Sequence, residues 1–124
     1  MRTIPLLLAL VTFNLSAQEI KKVDSEKSVI NYTGKHFLHK WSAENKNISG
    51  LIQIENETIS NIGVIAKVSD FRSGNSNLDS NSLRVLDALK FPNVIFKSSS
   101  IKQENEQIII DGIMNFHGIE KDIN

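Results

Sequence analysis

No cysteine occurs among the 124 residues, so a disulfide framework and a lipid-modified cysteine are both excluded. The fold must therefore be held by apolar burial and backbone hydrogen bonds, with no cross-link to restrict the unfolded chain. Net charge is absent as well: 14 Lys+Arg balance 14 Asp+Glu, and the two signs are interspersed. A nucleic-acid partner would want a basic face to neutralise phosphates, and this chain offers none. Long apolar runs are also missing. The run Ile4–Val11, interrupted by Pro5, falls far short of the roughly 20 apolar residues that a bilayer-spanning helix needs. What is present, 40% hydrophobic and 23% charged residues, suits one ordinary globular domain.

The first residues stand apart from that domain. Arg2 gives a positive start, Ile4–Val11 an apolar run, and Ser16-Ala17 a small-residue exit before polar Gln18, which is the pattern of a signal peptide cleaved after Ala17. Residues 1–17 are thus expected to be a leader and 18–124 the mature domain, periplasmic or secreted. Loss of Arg2 leaves that domain one unit negative.

Beyond Asp24 the sequence alternates short β-branched runs with polar turns, the rhythm of an antiparallel sheet or barrel. Strands are expected at Ser28–Thr33 and Ile48–Ile54, the latter with Gly50 as a gap suited to a bulge or tight bend. Asn56-Glu57 reads as a hairpin turn. The run Ile59–Phe71 sets Val64, Ala66 and Val68 against Ile65, Lys67 and Ser69, the period of a half-buried strand. A loop follows at Ser73–Asn77. A short amphipathic helix is then expected, capped by Asp79 or Ser80, striped by Leu83, Leu86 and Leu89, and stopped at Phe91-Pro92. Its Leu stripe suits packing against the sheet or closing a barrel end. Val94–Lys102 and Gln107–Phe116 form a hairpin about Glu104-Asn105-Glu106, and a His117-Gly118 turn leads into Ile119–Ile123.

Chemistry-bearing patterns are sparse. His36 and His39, three apart, would face opposite ways on a single strand, and no carboxylate pair completes a coordination set, so no metal site is expected. Both are read as rim-loop residues and His117 as part of its turn. Asp79, Ser80 and Ser82 are accounted for by helix capping, and neither a phosphate loop nor a nucleophile elbow occurs. No catalytic residues and no enzymatic activity are expected.

Three stretches carry a family resemblance. Leu86-Asp87-Ala88-Leu89-Lys90-Phe91-Pro92-Asn93-Val94-Ile95-Phe96-Lys97-Ser98 resembles the signature of YceI-like proteins, where a short helix ends at an aromatic-Pro pair and enters a strand. Val68–Asn75 resembles the strand end and loop before that helix, and Asp111–Lys121 the later hairpin with its His-Gly turn. Three motifs in one order identify the segment from about residue 20 to 124 as similar to that family. The resemblance implies a mainly β fold, an antiparallel lipocalin-like barrel of eight strands with one short helix, in the periplasm. It also implies a polyisoprenoid held in an apolar cavity.

Two departures matter. Where the family commonly carries an Arg before the loop Asp and a His or Lys shortly after, this chain has Leu78 before Asp79 and Asn81 after. That weakens a diphosphate head-group contact and favours a neutral lipid such as a quinone. Relatives also continue past the His-Gly turn, so a C-terminally truncated, unclosed barrel is expected here, the alternative being a partner such as a second copy that covers the open edge.

Phe37, Trp41, Phe71, Leu86, Phe91, Phe96 and Phe116 are the candidate cavity-lining residues, although aromatics equally serve as plain β core. The leading expectation is an exported carrier or scavenger of an isoprenoid or quinone-like lipid, with no other cofactor and no stable membrane insertion. The alternative is an exported interaction or stress-response module whose interior is filled by its own side chains.

Overall fold

The structure is a computed structural model that describes residues 17–124. Residues 1–16 of the expected leader lie outside the described residues. No helix among the described residues is long and apolar enough to cross a membrane.

The chain is mainly β, with strands β1 (Gln18–Lys22), β2 (Ile30–His36), β3 (His39–Asn45), β4 (Ile48–Glu55), β5 (Thr58–Lys67), β6 (Asn93–Glu104), β7 (Gln107–Phe116) and β8 (Ile119–Ile123), and one helix, α1 (Ser76–Val85). Six strands form one antiparallel sheet in the order β1-β4-β5-β6-β7-β8, and β2 and β3 pair as a separate hairpin, so the barrel is not closed. Tight turns set the register. Asn56 and Glu57 sit at φ 49° and 64°, and His117 and Gly118 at 53° and 73°. Positive φ at both central residues gives a twist that matches the flanking strands.

The sheet curls where its ladder is broken. Register shifts fall at Gln53/Ile54 and at Ser98/Ser100, and such irregularities bend the strand that carries them. Gly50, read as suited to a bulge or tight bend, carries no register shift and serves a close approach: a Cβ there would lie 2.7 Å from the Gly63 carbonyl oxygen and 2.8 Å from Val23 Cγ2.

Several elements differ from the sequence expectation for identifiable reasons. No strand was expected over β3, and His39 and Trp41 were read as loop residues. The strand's inward positions are Trp41, Ala43 and Asn45, the last two buried, and a face built of a small residue and an amide has no apolar alternation to read. β1 is exposed along its length and equally silent. The expected strand Ile59–Phe71 ends at Lys67, where Val68–Asp70 form a single 3-10 turn. The helix starts earlier than expected because Asn75 caps it, its side-chain oxygen accepting from the amides of Asn77 (3.0 Å) and Leu78 (3.1 Å). It also stops earlier. Asp87 takes φ 47°, the chain turns, and Leu89 is left fully exposed rather than packed.

The core is thin. Among the described residues the buried apolar side chains are Ala43, Ile48, Ala66 and Val68, and the sole fully buried polar residue is Asn45, at 0% exposure. Larger concave-face residues such as Ile52, Val64, Val94, Phe96 and Met114 remain half-buried. Interiors normally pack densely; here the curled sheet and the hairpin face one another across space that side chains do not fill.

Candidate functional site

That space is a cavity of about 610 Å³. The hairpin supplies one wall through Ile30, Tyr32 and Trp41; the sheet supplies the opposite wall through Val94, Met114 and Phe116. Val68 and Phe71 form the floor, and Leu78, Leu83 and Leu86 roof it from the helix and the turn beyond. Each wall follows from local sequence. Ile30 and Tyr32 alternate on β2, and the indole of Trp41 lies across Gly34, where any Cβ would come within 2.4 Å of the ring. Tyr32 packs on Phe71 at 5.5 Å between centroids with a 59° tilt, a preferred aromatic geometry.

The hairpin is tied to the main sheet by polar contacts. The backbones of Glu44 and Arg72 exchange two hydrogen bonds, 2.9 and 2.8 Å. Buried Asn45 adds a clamp: its Nδ2 donates to the Lys67 carbonyl at 3.0 Å and its Oδ1 accepts from the Asn47 amide at 2.8 Å. On the roof, His117 donates from Nδ1 to the Leu86 carbonyl at 2.8 Å. The turn histidine thereby fixes the segment that carries Leu86 into the cavity.

Polar groups at the cavity are Asn31, Asp79, Asn81 and Ser82, and no lysine, arginine or histidine joins them. Asp79 is the one formal charge. The Ser73 hydroxyl donates to its Oδ1 at 2.6 Å and the Ser73 amide at 3.0 Å; these bonds, hydroxyl first, hold its carboxyl below the ordinary value of 3.8. The wall is therefore apolar with one anion near its rim. Among the described residues no hydrogen bond engages the Tyr32 hydroxyl or the Trp41 indole N–H, and both residues line the cavity.

Of the seven residues singled out from sequence, Trp41, Phe71, Leu86 and Phe116 meet at this cavity. The other three lie elsewhere. Phe37 stands at the β2–β3 turn, 90% exposed. Phe91 packs beside the β7–β8 turn, 4.7 Å from the His117 ring, with Lys90 Nζ 5.2 Å over its face. Phe96 covers Gly112. Ile30, Tyr32, Val94 and Met114 were not singled out, although period-two alternation from Ile30 to Tyr32 and from Val94 to Phe96 was the available signal. His36 and His39 need a correction: they are direct cross-strand partners. The turn between them reverses the chain, so residues three apart share a face instead of opposing one another.

A family model for the YceI-like domain matches residues 22–124. The chain belongs to the YceI-like family. The fold agrees: the crystal structure of Burkholderia cenocepacia BcnA superposes with a TM-score of 0.73 at 18% sequence identity, over 82% of this chain and 67% of BcnA. Likeness at that identity concerns the architecture of a YceI-like β-barrel. No curated protein matches the chain.

Proposed function

We propose that this YceI-like chain is an exported, non-catalytic carrier or scavenger of a neutral prenyl-type lipid, a quinone being the best fit. The observation that carries the reading is the unfilled apolar cavity with an anion and no cation at its wall. Apolar walls favour a hydrocarbon by about 0.8 kcal/mol per buried methylene. Asp79 opposes a diphosphate, whereas Tyr32, Trp41, Asn31 and Asn81 can donate to a quinone carbonyl. At the ~30 Å³ of a water-sized group, 610 Å³ accepts about 20 non-hydrogen atoms. That is a quinone ring with about two isoprene units, and a longer tail would leave through the open side. Export rests on the leader pattern of residues 1–17. An interaction module with a filled interior is disfavoured by the half-buried concave face.

The test uses the single tryptophan, Trp41, which lines the cavity. Titration with a short-chain quinone is expected to quench its fluorescence saturably at near one equivalent, and a prenyl diphosphate of equal length to bind at least about tenfold more weakly. Absence of saturable quenching overturns the carrier reading, and a preference for the diphosphate overturns the choice of a neutral lipid.

A further inference from the structure

The tip of the β2–β3 hairpin is built in a way that folding does not explain. Phe37 and Leu38 form its two-residue turn and are 90% and 77% exposed. Neither adopts positive φ, and neither is a residue that two-residue hairpin turns favour. They contribute neither turn chemistry nor burial, and side by side they present a protruding apolar point to water. The rungs behind them are equally unusual. His36 pairs with His39, and Lys35 pairs with Lys40, placing like charges directly opposite, an arrangement that destabilises a sheet. No Asp or Glu occurs from Lys27 to Ala43, and neither Lys35 nor Lys40 takes part in any ion pair of the described chain.

An apolar point followed by a cationic collar with no internal counter-ion fits an anionic lipid interface. Apolar side chains there enter the acyl boundary while lysines stay level with phosphate groups. We propose that Phe37 and Leu38 insert into an anionic bilayer surface, with Lys35 and Lys40 held by its head groups. The hairpin face that carries Tyr32 and Trp41 into the cavity continues to the tip as the His36–His39 rung. At about 3.3 Å per residue, Leu38 stands about 10 Å beyond Trp41, so insertion brings the cavity's hairpin wall to the membrane surface. This goes beyond the carrier reading and does not rest on it, because vesicle binding and cargo retention are measured separately.

The experiment is co-sedimentation of the mature protein, without the leader of residues 1–17, with phosphatidylcholine vesicles lacking or containing about one third phosphatidylglycerol, together with emission spectra of the F37W/W41F variant, which moves the only tryptophan to the tip. Expected are binding to the anionic vesicles and a blue shift quenched by brominated acyl chains. F37S/L38S should lower affinity at least about 100-fold, and K35Q/K40Q about 25-fold on anionic vesicles. Positions 35, 37, 38 and 40 are exposed, and half-buried Trp41 is replaced by another aromatic ring, so unchanged circular dichroism confirms that the variants fold. An unmoved F37W/W41F spectrum, or wild-type sedimentation by F37S/L38S, overturns the proposal. Equal binding to both vesicle types overturns the role of the lysines. A chain that ignores vesicles yet retains polyglutamate through Lys35 and Lys40 assigns the tip to an acidic protein and overturns the lipid.

Discussion

Replacing Asn45 by alanine should detach one wall of the cavity. The side chain is fully buried, donates to the Lys67 carbonyl at 3.0 Å and accepts from the Asn47 amide at 2.8 Å. Alanine leaves both backbone groups without that partner. A buried group left unpaired costs about 1–3 kcal/mol; the exposed flanks of Lys67 and Asn47 admit water and place each near the lower end. The expected loss is about 2–3 kcal/mol out of a total of about 5–15 for a domain of this kind. With a urea slope of about 1.5 kcal/mol/M, the unfolding midpoint falls by about 1.3–2 M. N45D is the sharper variant. It keeps the acceptor for the Asn47 amide but turns an oxygen toward the Lys67 carbonyl, so it should lose at least as much as N45A. Hydrogen exchange should localise the effect, with β2–β3 amides exchanging faster because the hairpin then keeps only the Glu44–Arg72 backbone bridge and the Tyr32–Phe71 contact against that side. Equilibrium urea unfolding of N45A with a midpoint shift under about 0.3 M at unchanged slope, or N45D as stable as wild type, would remove Asn45 as the clamp of the hairpin.

Gly112→Ala should destabilise by about 1–3 kcal/mol in urea unfolding, since its Cβ would lie 2.4 Å from the Phe96 ring and 2.5 Å from the Lys97 carbonyl oxygen. The added F96A substitution should not restore stability, because the Lys97 contact is backbone. Leu83→Trp should fill the cavity and weaken quinone binding at least about tenfold, read by direct calorimetric titration, while the unfolding free energy stays within about 1 kcal/mol of wild type. Asp79 predicts a pH signature. Its hydrogen bonds from Ser73 depress the folded-state pKa below the ordinary 3.8, so its stabilisation is present above that value and is lost as pH falls through the folded one. The difference in urea midpoint between wild type and D79N should therefore be constant from pH 7 to about 5 and shrink below about 4; a constant gap down to pH 2.5 contradicts it.

Legibility in the sequence followed chemistry. Turns carrying Asn56-Glu57 and His117-Gly118, and strands with period-two apolar faces, were readable because backbone conformation and burial each select residue types there. The motif around Phe91-Pro92 carried the family. Strand β3 was not readable: its inward positions use Ala43 and Asn45, and the packing value of Asn45 exists only once Lys67, 22 residues away, offers its carbonyl. The helix end was misplaced because Leu89 continues the Leu spacing although Asp87 has already turned the chain. Within the site, aromatic identity alone could not separate Trp41, Phe71 and Phe116, which face the cavity, from Phe37, Phe91 and Phe96, which do not line it. Facing is set by strand parity and by which turn reverses the chain, and the hairpin at Phe37-Leu38 lacks the Gly or Asn that would have announced it.

Whether the hollow interior holds lipid is decided most directly by native mass spectrometry, paired with organic extraction, of the protein purified from the cell envelope without detergent. A neutral prenyl lipid is expected at near one equivalent, released on unfolding. Protein that emerges empty, and that also fails to take up a fluorescent prenyl analogue, contradicts it.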